Sequence, residues 1–225
     1  MNPIDYLHLQ LRLEGMGVIG SDLLRQEEEV PGEQNPFLLL AQCPDGQSVA
    51  YFNETLDSNL LAKLSGLLQE DSFPKIDRLL EYLKERNIRV ETEHYKTYLF
   101  PVQAAGPDDA NVTCRSREDP KVQAFGFGGL AERVYVIERG GNIASACVSA
   151  RENDVCGEAW VFSDPAFRNQ GLAQRVVGAW ARQLIRAGKV PFYSHKIENT
   201  ASAKLAARLG LEPVFEEIVL SYMNV

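Results

Sequence analysis

The sequence is poor in the residues that build disulfide frameworks and metal sites. Its 225 residues include four cysteines and three histidines, and no C-x-x-C pair occurs. The cysteines stand far apart and beside no histidine at a spacing typical of zinc. They are Cys43, Cys114, Cys147 and Cys156. The sequence therefore predicts reduced thiols and no metal site.

Long apolar runs and an excess of positive charge are also missing. No segment approaches the length of a bilayer-spanning helix, and residues 1–17 contain no basic stretch typical of an export signal. We therefore expect a cytoplasmic protein that does not enter membranes. The formal net charge of -8 at pH 7 argues against nucleic acid as a partner, because such binding needs a broad basic surface.

Glycine-rich nucleotide-binding patterns are absent or poorly placed. No G-x-x-x-x-G-K-[ST] string occurs, which disfavours a P-loop nucleotide hydrolase. The segment from Gly15 to Gly20 matches the G-x-G-x-x-G pattern of dinucleotide-binding turns. However, the segment before it is not the continuous apolar run of a buried parallel strand, and Glu33-Gln34-Asn35-Pro36 does not resemble the acidic end of a second strand. We interpret this match as fortuitous.

The chain otherwise has an ordinary globular composition, with 45% hydrophobic and 24% charged residues. The capping pattern Asn2-Pro3-x-Asp5 favours a helix over residues 3–14, although the alternating leucines from Leu7 to Leu13 are typical of a strand. A P-D-G turn between two apolar runs predicts a hairpin, and two leucine-faced segments predict helices. These elements cover residues 37–41, 48–52, 56–68 and 75–86 and predict a small α/β subdomain.

The clearest linker is the run Gly106-Pro107-Asp108-Asp109, which predicts one domain over residues 1–105 and a second over 106–225. A short apolar strand over residues 97–102 precedes the linker. After it, tight turns predict an antiparallel meander, then a helix, a parallel strand, another helix and a last strand. These elements cover residues 134–138, 143–150, 155–162, 171–187, 191–194, 199–209 and 215–222.

The turn at residues 164–173, D-P-A-F-R-N-Q-G-L-A, leads from a strand into a helix. The first backbone N–H groups of a helix have no intrahelical partner, so they can bind a phosphate, and the helix dipole adds attraction. Gly171 and Ala173 keep large side chains out of the way. Between Pro165 and Gly210 there are eight basic residues and one acidic residue, which reverses the overall charge balance. The sequence therefore predicts an anion-binding turn.

Two motifs together resemble those of the GNAT superfamily of N-acetyltransferases. The turn reads R-x-x-G-x-A from Arg168 to Ala173, and a later stretch reads N-x-x-S-x-x-L-x-x-x-L-G-L from Asn199 to Leu211. The resemblance covers residues 134–220, with residues 112–115 as the expected first strand. It implies an α/β fold in which a mixed, mostly antiparallel sheet is flanked by helices and preceded by the smaller N-terminal α/β subdomain.

The resemblance also implies a binding site for acetyl-CoA as cosubstrate. Ser163 and Ser202 are similar to residues of the FR47-like branch of the family. The pyrophosphate would lie on the backbone N–H groups of the turn, and the pantetheine arm would lie where the fourth strand splays from the fifth. The residues implied to bind the cosubstrate are Phe162, Ser163, Arg168, Asn169, Gln170, Gly171, Leu172, Ala173, Asn199 and Ser202.

The catalytic groups are less clear from the sequence. By resemblance Glu158 is the candidate base, but strand alternation turns it away unless a bulge intervenes, and a solvated glutamate would suit the position equally well. The tyrosine that often serves as the acid in this family is replaced by Ala206. The acid is therefore open among Ser194, Ser202, Tyr222, a water or no group at all.

Four other residues have structural interpretations. Asp164 is expected to be a turn residue, and His195 would suit either the surface or a substrate contact. Trp160 and Trp180 fall on a strand and on the apolar stripe of a helix, so both are expected in the core.

The function implied by the resemblance is acetyl transfer from acetyl-CoA to a primary amine of a small molecule or peptide. The amine would attack directly, without a covalent enzyme intermediate. A non-catalytic acyl-CoA-binding or sensing module is the alternative, and a phosphate- or nucleotide-binding enzyme unrelated to coenzyme A is a third. Neither nucleic acid nor a membrane is expected as a partner, and the sequence leaves self-association open.

Overall fold

The computed structural model describes residues 1–30, 36–70, 73–101, 108–129 and 131–223. By its internal contacts the chain divides into two compact units. The first unit comprises Met1–Lys96 and the chain from Val214 onward, and the second comprises Thr97–Pro213. The predicted boundary between residues 105 and 106 lies outside the described residues.

The first unit is an α/β layer. Its elements are α1 (Pro3–Leu13), β1 (Met16–Ile19), β2 (Leu23–Gln26), β3 (Leu38–Gln42), β4 (Ser48–Asn53), α2 (Ser58–Glu70), α3 (Asp77–Glu85), most of β5 (Val90–Leu99) and most of β11 (Glu212–Tyr222). The strand order is β1-β2-β4-β3-β11-β5. Most neighbouring strands whose register is defined are antiparallel, while β2 and β4 are parallel.

The N-terminal helix α1 confirms the prediction from its capping residues. The side chain of Asn2 accepts a hydrogen bond from the Asp5 N–H at 2.9 Å, and the Asp5 carboxylate accepts one from the Asn2 N–H at 2.9 Å. The alternating leucines do not form a strand. All four, at positions 7, 9, 11 and 13, are buried, because a helix enclosed on several sides buries more than one stripe.

The G-x-G-x-x-G segment does not form a nucleotide-binding turn. Its residues enter β1, which pairs antiparallel with β2 in a short hairpin, with Ile19 opposite Leu23. No helix follows β1 directly, so this segment lacks the free helix N–H groups that bind a phosphate.

The predicted hairpin and both leucine-faced helices are confirmed in the first unit. Strands β3 and β4 pair antiparallel, with Leu38 opposite Phe52. Residues of this sheet and of α2 and α3 share one apolar core, which contains Leu40, Leu64 and Leu79. The packing of two helices on a sheet is what the spacing of their leucines predicts.

The second unit contains the meander and the helices that follow it. Its elements are β6 (Thr113–Ser116), α4 (Pro120–Ala124), β7 (Arg133–Arg139), β8 (Asn142–Glu152), β9 (Cys156–Ser163), α5 (Leu172–Arg186), β10 (Val190–Lys196) and α6 (Thr200–Leu209). Strands β6 to β9 are antiparallel neighbours, and β10 runs parallel to β9. The predicted meander and parallel crossover are therefore confirmed, with strand bounds that differ from the predicted ones by one or two residues.

Helix α5 packs on the meander through its predicted stripe. Leu172, Val176, Trp180 and Leu184 are all buried. The Trp180 indole Nε1 donates to Ser149 Oγ at 2.9 Å, which satisfies its N–H inside the core. The prediction for Trp160 is wrong: it is 45% exposed and stacks on the Phe127 ring at a centroid distance of 4.8 Å. Its side of β9 packs against the segment around the short helix α4.

No helix among the described residues has the length and apolarity required to cross a membrane. In the same part of the chain, no group of three or more His, Cys, Asp or Glu side chains is arranged to hold a metal ion.

Candidate functional site

Strands β9 and β10 separate after a short paired stretch. Their register pairs Val190 with Cys156, Pro191 with Gly157 and Phe192 with Glu158. Both strands continue for several residues beyond this point, and no further pair joins them in the described residues 131–223. The facing edges of the two strands are therefore left with backbone groups that another molecule can pair with.

A cleft of about 480 Å³ lies at the end of this separation. It is formed by the ends of β9 and β10, the turn after β9, and the first turns of α5 and α6. The lining residues are Val161, Phe162, Ser163, Phe167, Arg168, Asn169, Gly171, Leu172, Ala173, Gln174, Tyr193, Asn199, Thr200, Ala201, Ser202, Lys204, Leu205 and Arg208.

The N-terminus of α5 opens into this cleft without a side-chain cap. Its N-cap residue is Gly171, in the left-handed conformation with φ of 73°, and no side chain accepts a hydrogen bond from the first turn. A Cβ built on Gly171 would meet nothing nearer than Gln174 Oε1 at 3.9 Å, so the space before the helix is open. By contrast, α6 is capped by Asn199, whose side chain accepts from the Ser202 N–H at 3.1 Å. The first-turn N–H groups of α5 are therefore available to a ligand in the cleft.

The charge of the lining has one sign. It includes the cations Arg168, Lys204 and Arg208, and none of the described lining residues is Asp or Glu. The Arg168 side chain lies over the Phe162 ring, with its guanidinium carbon 5.7 Å from the ring centroid, and its Nε donates to the Ser163 carbonyl at 3.3 Å. The helix dipole of α5 adds to this positive field, so the cleft is suited to an anion.

Comparison with protein families explains this arrangement. A family model described as GNAT acetyltransferase matches residues 126–219, which include the open strand pair, the α5 turn and α6. Residues 126–219 resemble the GNAT acetyltransferase family.

Solved GNAT structures share the fold at low sequence identity. An acetyltransferase of the GNAT family from Colwellia psychrerythraea aligns with a TM-score of 0.52 and 13% identity, covering 84% of this chain and 82% of that chain. A GCN5-related N-acetyltransferase from Sphaerobacter thermophilus aligns with a TM-score of 0.50 and 12% identity, covering 97% of this chain and 91% of that chain. A search of curated proteins finds no match to this chain. The structural likeness supports the fold, which is the mixed α/β sheet flanked by helices that the GNAT motifs implied.

Nine of the ten residues implied to bind the cosubstrate line the cleft, and the exception is Gln170. Gln170 is exposed in the turn, two residues before α5 begins. The expected turn role of Asp164 is confirmed, since its side chain accepts from the Ala166 N–H at 2.8 Å. Asn199 lines the cleft while also serving as the cap of α6.

Glu158 lies at the point where β9 and β10 separate, in the last pair of their register. It is buried, and Arg151 of β8 binds its carboxylate, with Nε at 3.0 Å from Oε2 and a second contact from Nη2. The bulge that would reorient Glu158 is not found between Glu158 and Ala159 of β9; the extra residue lies in the neighbouring strand β8, between Ser149 and Arg151. Glu158 is not among the cleft-lining residues, and it is neither solvated nor turned into the cleft.

Of the acid candidates, Ser202 lines the cleft and Ser194 does not. The Ser194 hydroxyl lies 3.0 Å from Thr97 Oγ1, and Tyr222 belongs to the first unit. His195 is buried rather than on the surface. Its Nδ1 lies 2.9 Å from the Lys196 carbonyl, which can only accept, so Nε2 is left to accept from the Tyr98 hydroxyl at 3.3 Å.

Tyr193 is one of several lining residues that were not identified from the sequence. Tyr193 of β10 lines the cleft and is 2% exposed. Burial raises its pKa to about 12, and a hydrogen bond with the Ser202 side chain acts in the opposite direction. The signal available in the sequence was strand alternation, because Tyr193 directly follows the last paired residue of β10 and faces the α5 side of the sheet.

Proposed function

We propose that this protein is an acetyl-CoA-dependent N-acetyltransferase that acetylates a primary amine of a small molecule or peptide by direct attack. The observation that supports this most strongly is the uncapped N-terminus of α5, which lies in a cationic cleft where β9 and β10 separate. A diphosphate linked to a long polar arm is the ligand chemistry that fits a helix N-terminus beside an unpaired strand edge.

The residues present suit each part of the cosubstrate. The backbone N–H groups from Asn169 to Ala173 would bind the diphosphate, and Arg168 would add charge at its side. The β9 backbone near Phe162 and Ser163 has its β8 edge paired and its β10 edge free, so it can pair with the amides of the pantetheine arm. Acetyl-CoA supplies the activated acyl carbon.

Direct attack is favoured because no thiol in the described residues is suited to a covalent step. Cys147 is fully buried, which raises the pKa of its thiol well above the usual range. The exposed Cys114 lies on β6 and does not line the cleft. The four cysteines are free thiols, which is consistent with a reducing cytoplasm as the location we propose.

Glu158 remains our candidate base, acting on the amine through water. Its position at the apex of the strand separation is where an acyl group would end if its arm lay along β9. Arg151 holds the carboxylate in place, and the amine would have to compete for it or reach it through a water molecule.

A non-catalytic acyl-CoA sensor is the second candidate. Two observations favour it: the Glu158 carboxylate is already bound by Arg151, and Ala206 provides no acid on α6. Binding of CoA alone does not separate this candidate from the enzyme, so the test has to measure turnover.

The test is thiol release from acetyl-CoA in the presence of a panel of small-molecule and peptide amines. We expect turnover with at least one amine class, and we expect Glu158→Gln to reduce kcat at least tenfold, or about 1.4 kcal/mol of barrier. Glu138→Gln is the matched control, because Glu138 is also a strand glutamate paired with cations but lies on β7, away from the point where β9 and β10 separate.

Two results would redirect the assignment. Tight CoA binding without turnover on any amine class would support the sensor. Stronger protection against thermal unfolding by ATP or NAD than by CoA at equal concentration would contradict both candidates, since a ligand that binds the folded state more tightly stabilises it more.

A further inference from the structure

Two aromatic side chains of β9 are exposed beside the point where the strands separate. Trp160 is 45% exposed and Phe162 is 41% exposed. Successive side chains of a strand point to opposite faces of the sheet. Ala159 and Val161 belong to the apolar cluster under α5, so Trp160 and Phe162 lie on the opposite face. Exposed aromatic rings grouped beside a cleft are typical of a ligand-binding surface.

The segment that follows α4 holds these two rings in place. The Phe127 ring stacks on the Trp160 ring, with centroids 4.8 Å apart and planes inclined by 7°. The Phe125 ring lies 5.5 Å from the Phe127 ring and meets the Phe162 ring edge-on at 5.6 Å. Phe127 is 2% exposed and belongs to the apolar core of this face. The exposed rings therefore rest on a packed core, and a ligand would not have to order them.

The same face of β9 also carries Glu158, the candidate base. Glu158 precedes Trp160 by two residues and belongs to the last pair before β9 and β10 separate. Side chains two residues apart on one face are about 6.6 Å apart, because a strand rises about 3.3 Å per residue. Phe162, at the other end of the row, also lines the cosubstrate cleft. One row of side chains therefore connects the cleft with the candidate base.

The charges along this row favour an acceptor with a single amine. Along β9 and the turn after it, the acidic side chains are Glu158, which Arg151 binds, and Asp164, which accepts from the turn backbone. At the other end the Arg168 guanidinium lies over the Phe162 ring at 5.7 Å. A polycation needs several free carboxylates and would be repelled by the guanidinium groups. An aromatic body would instead pack on the exposed rings in a stacked or edge-on arrangement.

We propose that the acceptor is an arylalkylamine, whose ring packs on Trp160 while its primary amine lies at Glu158. This substrate class rests on the proposed function. An arm of about two or three carbon atoms joins a ring and an amine over the distance between these two side chains. The nitrogen lone pair forms the C–N bond, the C–S electron pair leaves on sulfur as the thiolate, and the nitrogen proton passes through water to Glu158 and on to solvent. Trp160 determines specificity and takes no part in this step.

The test is thiol release from acetyl-CoA with a matched set of amines. The aryl amines are 2-phenylethylamine and tryptamine, n-hexylamine is an amine of similar size without a ring, and spermidine is the polycation. We expect kcat/KM for the two aryl amines to exceed that for n-hexylamine about threefold to tenfold, since ring contacts add to simple apolar burial. Benzylamine and 4-phenylbutylamine should be poorer substrates than 2-phenylethylamine, because their arms are too short or too long to place ring and nitrogen together.

Substitutions of Trp160 separate aromatic recognition from packing. Trp160→Leu keeps an apolar group against Phe127 and removes the ring. We expect it to raise KM for 2-phenylethylamine about threefold to tenfold with little change in kcat, and to change KM for n-hexylamine less than about twofold. Trp160→Phe keeps a ring and should retain the preference for aryl amines. Val155→Ala is the matched control, because Val155 is also exposed, at 48%, but lies in the turn before β9; it should leave both KM values unchanged.

Three results would overturn this substrate class, and they differ in what they leave standing. If n-hexylamine or spermidine is acetylated as efficiently as the aryl amines, or if Trp160→Leu raises KM for both monoamines equally, the substrate class is wrong and the proposed function stands. If size-exclusion chromatography shows a dimer that Trp160→Leu converts to a monomer, the rings form an interface between copies instead. If CoA binds and no amine class is acetylated, the proposed function fails and the substrate class with it.

Discussion

Gly171 has a backbone conformation that a side chain would strain, at the entrance to the α5 amides. In Gly171→Ala the new methyl group would project into the open space before the helix, and the left-handed conformation would cost about 1 kcal/mol. We expect the dissociation constant for CoA, measured by isothermal titration calorimetry, to rise at least about tenfold.

Gly188 provides the control for Gly171. It lies beyond the C-terminal end of α5 with φ of 76°, and a Cβ there would meet nothing within 4 Å. Gly188→Ala should therefore cost a similar amount of stability and leave CoA affinity unchanged. Equal CoA affinity in both variants would show that the α5 turn is not the phosphate site.

Asp109 anchors the segment before β6 to α5. Its carboxylate accepts from Arg175 Nε at 2.6 Å and from Nη2 at 2.7 Å. This ion pair, with a hydrogen bond from the Asn111 N–H, holds the pKa of Asp109 well below its usual range. A carboxyl group whose pKa is lowered by folding stabilises the fold above its unfolded pKa, and that stability is lost as the pH falls toward the folded pKa.

Asp109→Asn should therefore lower the free energy of unfolding by about 1 kcal/mol at neutral pH, a value that allows for partial solvent screening. The difference from wild type should shrink below about pH 4, where protonation weakens the wild-type ion pair. Urea unfolding at several pH values measures both effects. Asp108→Asn is the control, because Asp108 is 67% exposed and should contribute little. A constant difference at all pH values would contradict the ion-pair explanation.

At the residue scale, contiguous motifs could be predicted and long-range partners could not. Arg168 and Gly171 were found because a helix N-terminus needs a fixed local spacing of small and basic residues. The Arg151 partner of Glu158 depends on a bulge in β8, and single-sequence patterns do not determine bulges. Tyr193 was missed because alternation indicates which side of a strand a residue faces, but not which ligand space that side borders.

At the element scale, two glycines of the α5 packing predict opposite effects on stability. A Cβ on Gly157 of β9 would lie 2.7 Å from Leu184 Cδ2, so α5 packs against the bare backbone there. Gly157→Ala should reduce the free energy of unfolding by about 1–3 kcal/mol through overpacking. Gly178 lies inside α5, and a Cβ there would meet only the flexible end of Arg182 at 3.3 Å. Gly178→Ala should therefore stabilise the protein by up to about 1 kcal/mol through helix propensity.

Urea unfolding curves of the two variants check this pair of predictions. The two substitutions add the same methyl group within one helix–sheet interface, so a difference in sign reports local packing rather than hydrophobicity. A stable Gly157→Ala variant would mean that α5 moves away from β9 without loss.

Helices and strands with a clear hydrophobic periodicity or with clear capping residues were predicted well. Helices α5 and α6, the β7–β9 meander and the β3–β4 hairpin all lie within a few residues of their predicted bounds. By contrast, the first part of β5 was missed because Val90–Lys96 is mostly polar and only partly buried. The hairpin of β1 and β2 was also missed, since each strand has only four residues and too few alternations to show a period.

At the scale of the whole molecule, the net charge of the protein and the charge of the cleft lining have opposite signs. The formal charge is -8, whereas the charged residues of the cleft lining are all basic. Binding of an anion should therefore depend on short-range attraction that salt weakens. We expect CoA affinity to fall about threefold to tenfold between about 50 mM and about 500 mM salt, while pantetheine, which lacks the diphosphate, should show little change. Calorimetric titrations at both salt concentrations measure this, and a salt-independent CoA affinity would contradict it.

The pairing of strands that are distant in the sequence could not be predicted from local patterns. The end of the chain returns to the first unit, where β11 pairs antiparallel with β3 and places Val219 opposite Leu39. Nothing in the local pattern of residues 212–222 distinguishes this neighbour from any other apolar strand. Linker composition shows where a chain can bend, but strand pairing decides which segments share a core.

In the described residues, three residue pairs join β9 and β10, so the sheet of the second unit has few hydrogen bonds between these two strands. A ligand that lies between the two strands would supply the backbone hydrogen bonds that the strands do not make with each other. Binding of such a ligand should therefore reduce local opening of the two strands, and slower amide hydrogen exchange in β9 and β10 would show it.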